Sequence, residues 1–151
     1  MAEVIADVGS AEWEKKQLEN IDGCFRTIEQ LQNLFLGQLS GGDLEKAEGR
    51  RCVLRVSGLK HYQYEKYFEG TTAGVKIVPP YLLPNTYIVA PVDSVYRVLN
   101  GVLNGDTAAF SSEWARGRAR IVGERKLHDG YVFSEKFKKL ANIIRKYRGR
   151  Q

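Results

Sequence analysis

The spacing of apolar residues divides the chain into segments of different period. From Ala11 to Leu39 the apolar set is Trp13, Leu18, Ile21, Phe25, Ile28, Leu31, Leu34, Phe35 and Leu39. After Ile21 it advances mostly in steps of three and four, which places it on one face of a helix. Asp22-Gly23 lies inside this pattern and predicts a break into two helices. Residues 1–10 show no period and are expected to be flexible. Ser40-Gly41-Gly42-Asp43 predicts a loop.

Strand signals follow. Cys52 to Val56 is β-rich, and the stretch Tyr62 to Phe68 puts Tyr62, Tyr64 and Lys66 on one face. Gly70 to Gly74 predicts a hairpin turn, and Val75 to Val78 the next strand. Pro79 and Pro80 end it, because neither can donate to a ladder. Tyr87 to Val89 is a fourth strand. Pro91 opens a helix from about Val92 to Leu103, with Asp93 at its dipole-favoured end. Arg118 to Val122 is a fifth strand, and Ser134 is expected to cap a last helix, Glu135 to about Tyr147. This order predicts an α+β fold: about five strands in a mostly antiparallel sheet, with helices packed on one face.

The length of 151 residues suits one domain spanning 1–151, and the 43% apolar and 27% charged content is that of a globular chain. Cys24 and Cys52 sit in no metal or redox spacing, and no apolar run is long enough to cross a membrane. A cytoplasmic protein with free thiols is expected. The net charge of +5 is uneven. Residues 1–50 carry five Lys and Arg against ten Asp and Glu, whereas residues 116–151 carry twelve against three. An anionic partner for the basic end, or a solvated helix face pairing with the acidic end, would each account for it.

Catalytic patterns are missing. His61 precedes a strand, His128 sits in a polar loop, and neither has a partner at ligand or triad spacing. No GxSxG, HExxH, P-loop or GxGxxG occurs. The expectation is a non-catalytic protein with no cofactor and no metal. Arg116, Arg118 and Arg120 alternate, which on a strand would point all three to one face. Together with the basic last helix they offer an alternative: a nucleic-acid or protein interaction module, although no RNP, KH or zinc-finger pattern accompanies them.

Two blocks resemble a known family. Thr86 to Gly101 reads Thr-Tyr-Ile-Val-Ala-Pro-Val-Asp-Ser-Val-Tyr-Arg-Val-Leu-Asn-Gly, a strand, a helix of apolar pairs and a glycine. Trp114 to Gly123 reads Trp-Ala-Arg-Gly-Arg-Ala-Arg-Ile-Val-Gly, an aromatic, a glycine, a basic-apolar strand and a second glycine. Their order resembles the sterol carrier protein family. The chain departs from it at Pro91 in place of a polar cap, in the longer stretch from Gly101 to Trp114, and in an added segment, Glu124 to Phe133. The resemblance implies a sterol-carrier-like domain with a tunnel between sheet and helices, holding a lipid or other long apolar molecule. Members of the family carry sterols, fatty acyl chains or similar lipids, or serve as accessory domains.

The apolar faces of the two later helices supply candidates for that tunnel. Val95, Leu99 and Leu103 come from the first, and Phe137, Leu140 and Ile144 from the second. Phe110, Trp114 and Ile121 join them from the intervening stretch. Lys136, Lys138, Lys139, Arg145 and Lys146 flank the last apolar face and would meet an anionic membrane while the helix gates the pocket. Whether an apolar cavity larger than about 300 Å³ lies between the sheet and these helices is the observation that would best test the carrier reading.

Overall fold

A computed structural model describes residues 7–35, 51–71, 74–81, 86–123 and 131–148. The first helix, α1 (Ala11–Leu34), starts where the Ser10 hydroxyl accepts a hydrogen bond from the Trp13 amide at 3.2 Å. It runs unbroken through Asp22-Gly23, where a break was expected. Glycine inside a helix costs about 1 kcal/mol relative to alanine. Ile21 and Phe25 on either side are buried, and burying each is worth roughly 1.5–3 kcal/mol, so packing outweighs local propensity. Asp22 is also engaged: its carboxylate accepts from the Tyr64 hydroxyl at 2.6 Å and the Lys66 ammonium at 2.9 Å. The expected continuation to Leu39 and the Ser40–Asp43 loop lie outside the described residues.

Five strands form one sheet. They are β1 (Arg51–Ser57), β2 (Glu65–Thr71), β3 (Gly74–Val78), β4 (Thr86–Pro91) and β5 (Arg120–Gly123), in the order β3-β2-β1-β4-β5. β1 and β4 run parallel, and the other three pairs are antiparallel. The sheet is thus mixed and mostly antiparallel. β2 begins three residues later than the sequence pattern indicates. Glu14, a buried carboxylate of α1, accepts from the Lys60 amide at 3.0 and 3.2 Å and from the His61 amide at 2.9 Å. Those amides are held by the helix and not by a neighbouring strand. Tyr62 therefore stays exposed, while Tyr64 and Lys66 both reach Asp22.

Three more helices follow: α2 (Val92–Leu103), α3 (Ala109–Ala115) and α4 (Tyr131–Arg148). α2 is the hub, packing on α1, α3, α4 and the two central strands. Pro91 caps it without a side-chain bond. The end of α2 turns through Gly105, whose φ is +82°. The Asp106 amide donates to the Gly101 carbonyl at 2.8 Å and the Gly105 amide to that of Val102 at 3.0 Å, a Schellman cap. Gly101 itself lies so near α3 that a Cβ there would sit 2.8 Å from Ala109 Cβ. α3 has no counterpart in the sequence expectation. α4 starts at Tyr131, so Ser134 lies inside the helix and is not its cap.

The sheet is buried on both faces by different means. Cys52, Leu54, Val56, Phe68, Val75 and Ala90 point to the helices and form one core with Leu18, Ile21, Phe25, Ile28, Val95 and Leu140. The opposite face carries no helix among the described residues, yet Val53 at its centre is 0% exposed. Tyr67 and Tyr87 stand beside Val53 on the neighbouring strands. The Arg55 guanidinium lies 4.5 Å from the centre of the Tyr87 ring and that of Arg51 4.7 Å from the Tyr81 ring. Tyr81 meets Tyr67 edge-on at 4.9 Å. Each cation–π contact is worth about 0.5–1 kcal/mol at such sites, and the rings shield the strand from water. Burial pushes the Tyr81 phenol up to about 12.

Two outcomes follow from these contacts. Alanine at Gly105 meets both a left-handed backbone, costing roughly 1–2 kcal/mol, and Arg145 Cα at 3.0 Å. Gly117, with φ +72°, has open space around it. Urea denaturation should therefore show Gly105→Ala to be clearly more destabilising than Gly117→Ala. The second concerns acid. The Lys60 amide, helped by that of His61, holds the Glu14 carboxyl below its ordinary 4.5. A depressed carboxyl contributes stability that is complete above the unfolded value and is lost as pH falls through the folded one. Thermal unfolding followed from neutral pH into acid should show this loss in the wild type. In Glu14→Gln the midpoint should start lower and fall less steeply.

Candidate ligand cavity

A cavity lies between the helix-facing side of the sheet and the four described helices. The strands supply Cys52 and Leu54 from β1, Phe68 from β2, and Ile88 and Ala90 from β4. Ala119, just before β5, closes that side. The helices supply Phe25 from α1, Val95, Val98 and Leu99 from α2, Phe110 from α3, and Phe137 from α4. Strand alternation and helix spacing together explain this set. Cys52 and Leu54 share a face through the period of two, and Val95, Val98 and Leu99 share one through steps of three and four.

None of the described lining side chains carries nitrogen or oxygen. Water inside would find no partner among them, and apolar cavities of this kind stay dry. The cavity volume is about 50 Å³. That is well below the roughly 300 Å³ of an ordinary ligand pocket. Phe110 and Phe137 are the lining rings on the two short or terminal helices, and both are only half-buried.

Four of the sequence candidates, Val95, Leu99, Phe110 and Phe137, line this space. Five do not. Leu140 and Ile144, one and two turns beyond Phe137, are buried in the continuous core, and Leu103 packs against its edge. Ile121 pairs with Ile88 in the sheet and is buried beside the cavity without lining it. Trp114 is 43% exposed, because α3 turns Ala109 and Glu113 inward and Trp114 outward. It stacks on Phe110 with ring centres 6.3 Å apart. Phe25 and the strand residues were not among the candidates, although the alternation around Cys52 and Leu54 carries the signal.

The basic candidates also divide. Lys136 is 2% exposed and engaged, so it is not a surface charge. Lys138, Arg145 and Lys146 are exposed and Lys139 half-buried. Of the three alternating arginines, Arg120 alone lies in a strand. Arg116 ends α3, and Arg118 approaches Glu113 at 3.7 Å, so they do not form one strand face. Glu113 is a buried carboxylate that also accepts from Arg97 Nε at 2.6 Å, and this contact raises the guanidinium further.

Reactive side chains are quiet. Burial pushes the half-buried Cys24 thiol up, away from the nucleophilic thiolate. Burial, with Asp22 beside it, also pushes the Tyr64 phenol up. Among the described residues no three His, Cys, Asp or Glu side chains come together as a metal site. No described helix is long and apolar enough to cross a membrane. His128 lies outside the described residues.

Solved structures similar to this chain are sterol-carrier-type domains. One is described as a UbiJ-SCP2 ubiquinone synthesis protein: it is 11% identical, has a TM-score of 0.48, and the match covers 80% of this chain and 98% of that one. A sterol carrier protein domain 2 of Helicoverpa armigera is 11% identical over 78% of this chain and 87% of that one, with a TM-score of 0.45. A sterol carrier protein 2 crystal structure is 16% identical over 75% and 94%, with a TM-score of 0.42. No protein-family model matches the chain. No curated protein is significantly similar to it in sequence.

Proposed function

We propose that this protein is a non-catalytic carrier or binding module for a lipid or other long apolar ligand, working in the cytoplasm. The observation that supports this reading is the chemistry of the cavity wall, formed by side chains without a nitrogen or oxygen atom between sheet and helices. Such a wall offers no hydrogen bond to a polar ligand and no means of orienting one. It favours hydrocarbon, at roughly 0.8 kcal/mol for each methylene taken from water. The open space suits one end of an apolar chain, and further loading requires Phe110 and Phe137 to move aside. The two sequence blocks that resemble the sterol carrier family contribute to the same wall, through Ile88, Ala90, Val95, Val98 and Leu99 from the first and Ala119 from the second.

Filling the cavity tests the reading. Ala119 is buried and lines the space, so Ala119→Leu places three more carbons in it. Overpacking of this kind costs about 1–3 kcal/mol in a core that is already full, and less where a void receives the added carbons. The expected result is a variant that unfolds near the wild-type midpoint but no longer binds a fluorescent fatty acid. Wild-type protein that fails to bind the probe at micromolar concentration, and carries no lipid in native mass spectrometry, would remove the proposal.

A further inference from the structure

We propose that the corner between α3 and β5, Trp114 to Arg120, is the surface by which this protein docks on an anionic phospholipid bilayer. The proposal rests on the carrier reading for its purpose, but its geometry is independent of the cavity. Trp114, Ala115, Arg116, Gly117 and Arg118 are five consecutive exposed residues. The turn they make is rigid, since the Arg118 and Ala119 amides donate to the Glu113 carbonyl at 3.0 and 3.3 Å. It also stands clear of the body, because a Cβ on Gly117 would meet nothing within 4 Å.

Charge and shape point to one occupant. Glu113 is occupied by Arg97 at 2.6 Å and draws Arg118 only to 3.7 Å. Among the described residues, Arg116 and Arg120 have no carboxylate within ion-pair distance. The corner therefore presents positive charge around an exposed indole, the combination suited to a headgroup layer. Trp114 stacks on Phe110, and Phe110 lines the cavity. A bilayer that receives the indole thus lies one ring away from the cavity wall. Single-stranded nucleic acid would need successive rings for its bases, whereas Trp114 is the single aromatic residue between 111 and 120.

The basic helix α4 is the weaker surface. Its apolar residues Leu140, Ala141, Ile143 and Ile144 are in the core. Lying flat on a bilayer would require it to leave that core. Its exposed ring, Tyr147, is set edge-on to Phe35 at 6.0 Å, away from the cavity lining.

Cosedimentation with vesicles of phosphatidylserine and phosphatidylcholine, against phosphatidylcholine alone, tests the proposal. The wild type should bind the anionic vesicles and lose them as salt is raised. Arg116→Ala should weaken binding roughly fivefold, and Trp114→Ala should weaken it further. Both residues are exposed, and unchanged thermal unfolding would show that each variant is folded. The α4 pair Lys138→Ala/Lys146→Ala should bind like the wild type. Anionic vesicles should also shift the wild-type tryptophan emission to the blue, and Trp114→Ala should lose that shift. No anionic preference, unaltered binding by both corner variants, or a loss confined to the α4 pair would each overturn the proposal. So would retention of a thymidine oligonucleotide, in place of vesicles, that Trp114→Ala abolishes. Ala90→Leu, which fills the same cavity from β4 and lies outside the corner, separates the two readings: it should bind vesicles while failing to take up fatty acid. Vesicle binding without fatty-acid uptake in the wild type removes the carrier alone, and the reverse removes the dock alone.

Discussion

β1 must be shielded on both of its faces and paired along both of its edges, and the rest of the molecule follows from that requirement. Cys52, Val53 and Leu54 are consecutive and all buried, so successive side chains enter opposite compartments. Cys52 and Leu54 enter the helix-covered core. Val53 enters a compartment flanked by Tyr67 and Tyr87 on the neighbouring strands, with the Arg55 guanidinium over the Tyr87 ring and that of Arg51 over the Tyr81 ring. The parallel pairing with β4 completes one edge of β1 and delivers the chain directly into α2, the helix that touches every other described helix.

The cavity is a consequence of that arrangement. α2 crosses the central strands with valine and leucine, while the facing strand positions are small: Cys52, Ala90 and Ala119. Small residues opposite medium ones leave a void that the phenylalanines of α1, β2, α3 and α4 surround without filling. Its wall is apolar because each contributing position is an inward position of a strand or helix. Selection for a dry core and selection for a greasy ligand demand the same side chains. The open volume inside that wall is what a closed core lacks.

α3 joins this interior to the outer surface. Its inward side carries Ala109 against Gly101, and Glu113 against Arg97. Its outward side carries Trp114. Phe110 stands between them, touching both the cavity and the indole. A helix of seven residues has little stability of its own. It is held by Gly101, which permits close approach, and by the buried carboxylate that receives a charged hydrogen bond.

Sequence periodicity by itself determined much of the fold. It marked α1, the cores of β1, β3 and β4, the full extent of α2, and Val95, Leu99 and Phe137 around the cavity, because those positions obey the periods of two and 3.6. The two blocks ending at Gly101 and beginning at Trp114 both sit where chain direction changes between sheet and helix. Tertiary structure decided what periodicity does not encode. It kept α1 whole across Asp22-Gly23, because buried neighbours outweigh a local glycine. It delayed β2, because Glu14 holds the preceding amides. It formed α3 from a stretch too short to show a period, turned Trp114 outward, buried Lys136, and set the size of the cavity. Each of these depends on what stands opposite a residue in space, which the one-dimensional pattern does not contain.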